Sequence, residues 1–331
     1  MTKRSFAGIA AGVTGVAFLV AAAVLPTYVR DSVVGLPDEL DQTTVVVGKG
    51  ELIDRSSFFS ATPVQTSKDI PVSITARTTL AESADSSSAV IHGSLLGARS
   101  DVAGDSAVFI NTTDVVQVDR QNYLVGAEPV PTWTGPPAPP AEEPARIGTL
   151  FSFTPDVQKT EYRFYELMAH APTTARYIDD DRSIDGMQLY HFRSELPPVD
   201  MTQTVGITQQ TQLTLPAAKW GLPGGMDMVT MNQYYANVRD MWVEPTTGAT
   251  VDLVTSPRIY YAQTADNPHQ VTAFAGELRF DQPTLDALLG DAKDGRQLIR
   301  GLFVWLPIGL AVVGLLLVGT AVLARVRHRA G

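Results

Sequence analysis

The chain has 331 residues, with 25 basic and 35 acidic side chains, 22 prolines and no cysteine. The missing cysteines exclude disulfide staples, thiolate metal sites and a cysteine nucleophile. The acidic balance excludes binding to nucleic acid, or to an anionic lipid surface, by general charge attraction.

Phe6 to Leu25 is a run of 20 residues without a charge. As a helix it would be about 30 Å long, enough to cross a hydrocarbon core. Ala21-Ala22-Ala23 also offers a small-residue cleavage site. The run, however, exceeds the roughly 7–15 apolar residues of a secretory leader, which favours a retained span.

Beyond Pro26 to Leu40 the chain turns to extended segments rich in Thr, Val, Ile and aromatic residues. Strands are predicted over 45–52, 73–80, 89–96, 106–118, 147–153, 161–167, 188–192 and 208–215, several of them alternating at period two. Pro129 to Pro144 holds seven prolines in 16 residues. It reads as an extended loop or internal linker, so the body is one β-rich domain with this excursion, or two subdomains split there. Asp185-Gly186 suits a tight hairpin between Arg176–Ile178 and Met187–Phe192. A second hairpin runs from Asn237–Glu244 through the turn Pro245-Thr-Thr-Gly248 into Ala249–Val254, with Pro presetting φ and Gly supplying a positive one. A helix is predicted after Asp281 as N-cap, with Pro283 in its first turn; Gly290 and Gly295 interrupt it.

Leu302 to Ala324 is the second uncharged run, of 23 residues. Lys3 and Arg4 precede the first run, and Arg325, Arg327 and Arg329 follow the second, so both tails are expected in the cytoplasm. The expected organisation is a tail at 1–5, a span at 6–25, a β-rich extracytoplasmic domain at 26–301, a span at 302–324 and a tail at 325–331. Without the five basic tail residues the chain has 20 basic against 35 acidic side chains, so the outer domain is strongly acidic.

Catalytic signatures are absent: there is no GxxxxGK[ST], GxGxxG, HExxH or GxSxG. The five histidines (92, 170, 191, 269 and 328) do not stand at ligand spacing, and Asp179-Asp180-Asp181 followed by Arg182 fits a solvated turn better than a calcium loop. Glu142-Glu143 reads as solvated charge. Asp240, Trp242 and Glu244 would share one strand face beside Arg239, which suits cross-strand pairing more than catalysis. No enzyme, cofactor or metal is expected. The aromatic residues are the remaining resource: Phe151 with Phe153, Tyr162 with Phe164 and Tyr190 with Phe192 share faces, lining either a packed core or a cavity.

Gly148–Phe153, Gln158–Tyr165, Ile184–Phe192 and Trp242–Gly248, with the two end runs, resemble an actinobacterial family grouped as PorA-family porins or as a domain of unknown function. That family includes the lipoglycan-maintenance factor of mycobacteria and corynebacteria. The resemblance implies a mainly β (α+β) domain, barrel-like around an apolar cavity, with a transmembrane helix at each end as in class B scavenger receptors. It also implies lipid or glycolipid carriage in the assembly of lipomannan and lipoarabinomannan.

A transmembrane pore is not expected, because it needs strands of about 9–11 residues with a continuous apolar outer side and most predicted strands are shorter. The expectation is therefore a two-span plasma-membrane protein that binds or transfers a lipid. Phe151, Phe153, Phe164, Tyr190 and Phe192 are its candidate cavity lining. The alternative is a non-enzymatic module regulating an envelope glycosyltransferase. The expected partners are a lipid or glycolipid, the plasma membrane and such a glycosyltransferase, with no nucleic acid.

Overall fold

The computed structural model describes residues 3–37, 39–82, 87–126, 147–150 and 153–330. The proline-rich stretch 129–144, with Glu142 and Glu143, and the candidate Phe151 lie outside them. The chain divides into two compact units, Met1–Gly35 with Asp291–Gly331, and Leu36–Gly290.

In the first unit, helix α1 (Lys3–Val34) runs through Pro26 and meets the C-terminal helix at glycines. A Cβ on Gly15 would lie 2.7 Å from the Gly314 carbonyl oxygen, and one on Gly314 2.8 Å from that of Gly15. Small residues let two apolar helices approach backbone to backbone, where dispersion contacts hold them. Among the described residues one helix is long and apolar enough to cross a membrane, Gln282–Arg327, while the apolar helix Val13–Tyr28 is shorter.

The second unit is built from strands β1 (Asp41–Ile53), β2 (Thr66–Glu82), β3 (Ser88–Arg99), β4 (Val108–Asp119), β5 (Tyr162–Glu166), β6 (Ala171–Asp179), β7 (Ser183–Ile184), β8 (Met187–Gln188), β9 (Tyr190–Asp200), β10 (Gln212–Pro216), β11 (Met228–Val243), β12 (Thr250–Thr255), β13 (Arg258–Ala262) and β14 (Val271–Phe280). The one-turn helix α2 (Met201–Thr204) follows β9. Twelve strands form one sheet in the order β4-β3-β2-β1-β14-β12-β11-β9-β6-β5, with β10 and β13 attached beside β11. Its named strand pairings are all antiparallel.

The two ends of this order do not stay open. Val118 of β4 bridges Val125, Leu124 bridges Thr149, and Thr149 bridges Phe164 of β5. The Thr149 amide donates to the Arg163 carbonyl and the Tyr165 amide donates to that of Thr149. The hydrogen-bonded path therefore returns on itself, which removes the exposed edges a flat sheet would leave.

Local chemistry explains several joints. Asp185 and Gly186 both have positive φ (51° and 76°), the left-handed pair that a tight hairpin requires. Beyond it β6 and β9 pair at Tyr177 and Phe192, as predicted. The Asp281 carboxylate accepts from the Thr284 amide at 2.9 Å and starts helix α3 (Gln282–Arg300), and the Thr284 hydroxyl accepts from the Val45 amide of β1. Gly48 lets β14 come close to β1, since a Cβ there would stand 2.2 Å from the Glu277 carbonyl oxygen.

Three expectations need correction. Among the described residues of 147–153, only Thr149 makes bridges, because Gly148 turns the chain with φ 110° against the Arg163 backbone. Gly290 and Gly295 do not break the last helix. Each costs only about 1 kcal/mol relative to Ala, and α3 continues through a π-turn (Gly301–Trp305) into α4 (Leu306–Ala330). The wider turn precedes Pro307, which has no N–H to donate to the i−4 carbonyl and whose ring clashes with it. Finally β13, β14 and the first half of β11 were not predicted at all.

Candidate functional site: the interior of the closed sheet

Inside the closed path lies a cavity of about 360 Å3. Its wall draws on β1 (Gln42, Thr44), β2 (Ile74, Ala76, Thr78), β3 (Gly93, Leu95), β5 (Phe164, Glu166), β11 (Tyr235, Asn237, Arg239) and β12 (Thr250, Thr255). Short side chains at Thr44, Ala76, Thr78, Gly93 and Thr250 leave the space that larger residues would close. The rest of the wall is apolar, with Val46, Ile110, Leu167, Met168, Leu253 and Phe280 among it, so a few polar groups stand in a mostly apolar lining.

One buried ion pair borders the cavity. The Glu166 side chain is 2% exposed, and both its oxygens accept from Arg239, Nη2 to Oε1 at 2.8 Å and Nη1 to Oε2 at 2.8 Å. The Tyr235 hydroxyl donates to Oε1 at 3.4 Å. Burial works against the Arg239 charge, yet the facing carboxylate holds its proton more firmly than usual. Burial, reinforced by the charge on Glu166, pushes the Tyr235 hydroxyl well above its ordinary range. A fork-to-fork pair of this kind is both strong and geometrically fixed. Beside it the Thr255 hydroxyl donates to Asn237 Oδ1 at 3.0 Å.

The candidate aromatic residues fall mainly elsewhere. Phe153 and Phe192 are fully buried and Phe164 nearly so, in one cluster with Met241 and Val243. Their rings meet at 4.6 Å (Phe153–Phe192) and 4.8 Å (Phe153–Phe164), at tilted or edge-on angles that aromatic quadrupoles favour. Tyr190 stands edge-on to Tyr177 at 5.8 Å, under the Lys159 ammonium. Of the described candidates, Phe164 alone also faces the cavity. The loop carrying Phe153 is clasped by the predicted turn. The Phe153 and Val157 amides donate to the carbonyls of Gly248 and Pro245, and the Thr247 amide and hydroxyl donate to the buried Glu244 carboxylate.

Glu244 therefore leaves the face it was expected to share. A register shift at Trp242 and Val243 turns it into the hairpin end, while Asp240 and Trp242 stay on the outer face. There Asp240 pairs with His191 Nε2 at 2.9 Å and accepts from Arg193 Nη1 at 3.0 Å, and His191 stacks on Trp242 at 4.9 Å. With Asp179 at 3.3 Å from His191 Nδ1, the group ties β6, β9 and β11 side by side. In the acidic turn the Lys159 ammonium and the Tyr177 hydroxyl donate to Asp180 and hold its carboxyl below the usual carboxylate range. Among the described residues no group of His, Asp and Glu could hold a metal ion.

Sequence reasoning missed the site's central pair. Arg239 was read with its outer-face neighbours, and Glu166 was not singled out. The signal available was a glutamate inside an aromatic strand (Tyr-Arg-Phe-Tyr-Glu), where a charge needs a partner.

A family model described as Porin PorA matches residues 7–323. A protein of Corynebacterium amycolatum named Porin PorA is 24% identical over 312 residues, covering 80% of each chain. One of the same name from Corynebacterium resistens is 22% identical over 395 aligned residues, covering 96% of this chain and 95% of its own. These matches overturn the expectation of a lipid or glycolipid carrier for lipoglycan assembly, and with it that of a glycosyltransferase regulator, since both relatives carry a porin's name. They support neither the lipoglycan factor nor the scavenger-receptor layout. One ground for setting a pore aside also fails: β1 to β4 have 13, 17, 12 and 12 residues, longer than predicted.

Proposed function

As the chain belongs to the Porin PorA family, we propose that it serves solute traffic in the cell envelope, its closed sheet admitting a small solute into the interior without catalysing a reaction. The observation that carries this reading is the cavity lined by strands from both halves of the circuit, the concave, mostly apolar site with a few converging polar groups that small ligands use. The helix Gln282–Arg327 holds the protein at the membrane, with Arg325 and Arg327 at its cytoplasmic end. Helix α1 makes a second crossing, both termini lie in the cytoplasm, and the β domain stands outside.

The outer surface of the sheet supports a domain that stands in water. It carries the exposed ion pairs Arg77–Asp41, Arg176–Glu161 and Arg279–Glu277, and a charge facing lipid costs about 2–4 kcal/mol at mid-bilayer. Saturation-transfer NMR on the full chain in nanodiscs, against a panel of small solutes, tests the reading. Solute signals are expected that vanish when Ala76→Trp fills the cavity. If no solute responds, or if responses survive Ala76→Trp, the interior is not the site.

The long strands and the relatives' name favour a second reading, in which the domain itself conducts across a membrane. It predicts stepwise conductance when the purified chain is added to a planar bilayer, whereas a domain standing in water predicts none.

A further inference from the structure

We infer that the seam between β6 and β9 is a side entrance through which solute reaches the interior, a conclusion that rests on the solute reading above. The two strands pair from Asp179 and His191 up to Ala175 and Ser194, and no further. Carried on in the same register, Thr174 would face Glu195, Thr173 would face Leu196, and Pro172 would face Pro197. Neither proline has an N–H to give across the gap, so the ladder stops short of them. Each strand stays held on its far side, Thr173 against Phe164 of β5 and Leu196 against Asn237 of β11.

Between the parted strands lies a hollow of about 380 Å3. It reaches into the sheet, since its lining includes the exposed Pro172 and Pro197 and, behind them, the buried Thr173 and Leu196. Phe164 and Asn237, the cross-strand neighbours of that buried pair, line the central cavity. One layer of side chains therefore separates the two hollows. Thr173 is 8% exposed, yet its hydroxyl has no hydrogen-bond partner. A buried hydroxyl left unpaired is unfavourable, and a molecule passing the seam would satisfy it. Leu196, in one apolar cluster with Ala171, Met201 and Tyr235, closes the inner end. Opening needs only the movement of side chains, because no ladder hydrogen bond crosses the seam there.

The chain has no cysteine, so a single one placed inside reports entry. Ala76→Cys puts a thiol on the cavity wall, and its reaction with methyl methanethiosulfonate is followed by intact mass on the full chain in nanodiscs. Adding Pro172→Trp, which covers the exposed outer mouth, is expected to slow the reaction about tenfold, as a barrier raised by about 1.4 kcal/mol does. Adding Leu196→Ala instead shortens the inner plug and is expected to speed it. With both changes together the reaction is expected to slow again; a rate that stays high would mean a loosened fold and count against the entrance. A rate indifferent to Pro172→Trp would overturn the inference while leaving the interior as the solute site, entered elsewhere. A thiol that never reacts in the folded protein would remove both.

Discussion

Two neighbouring parts of the same sheet are built from the same alternating strands, yet one is solid and the other hollow. Around Phe153, Phe164 and Phe192 the rings pack with Val157, Met241 and Val243 over the small Ala175, and a clasped loop presses Phe153 down as a plug. Around Glu166 and Arg239 the positions facing the hollow include the short Thr44, Ala76 and Thr78 beside Val46, Ile74 and Leu95, while Leu150 and Leu167 close over Gly93. Period-two patterning decides which residues face inward. The size of those residues, across strands far apart in sequence, decides whether the interior fills.

The largest expected effect breaks the solid side. Phe153→Ala removes a fully buried ring that touches three others and should cost about 3–5 kcal/mol in denaturant unfolding. The same unfolding measurement then addresses the pair on the hollow side. Arg239→Met leaves Glu166 buried without its partner and should cost about 3–5 kcal/mol, while the added Glu166→Gln should restore much of the loss. If the double variant is no better than the single one, the pair is not what holds that wall.

A matched enlargement sharpens the contrast. Ala175 is fully buried in the solid cluster, so Ala175→Val should overpack it by about 1–3 kcal/mol. Ala76→Val extends into the cavity and should leave stability nearly unchanged. Equal losses at both positions would mean that the hollow is not there.

The smallest effect is a pH dependence. Burial raises the Tyr235 hydroxyl, and pushes that of Tyr261 up to about 12 from an ordinary 10.0. Above pH 10 the unfolded chain releases these protons while the folded chain keeps them. Stability present below pH 10 is therefore lost as pH rises toward 12 for Tyr261, and likewise as pH rises above 10 for Tyr235. Tyr261→Phe should flatten the loss between pH 10 and 12 in thermal unfolding curves. An unchanged slope would mean that this hydroxyl titrates normally in the fold.

Local chemistry was readable in the sequence wherever a few adjacent residues decide the structure. The turn at Pro245–Gly248, the hairpin at Asp185-Gly186 and the Asp281 cap are of this kind, as is the sharing of faces by Tyr162 with Phe164 and Tyr190 with Phe192. What depends on register was not. The pair Glu166 and Arg239 is separated by 73 positions and meets only because β5, β6, β9 and β11 lie side by side. Closure of the sheet rests on single bridges at Val118, Leu124 and Thr149, which leave no periodic trace. β14 did leave one, since Thr272, Phe274, Gly276, Leu278 and Phe280 alternate, but the glycine and the charges between them masked it.

The most direct test soaks crystals of the full chain in a small hydroxyl-rich solute and locates the solute in the density. The account predicts a molecule between β1, β2, β11 and β12, within reach of Thr44, Thr78 and Asn237. Solute found only on the outer face, with side chains or nothing at all in the interior, would contradict it.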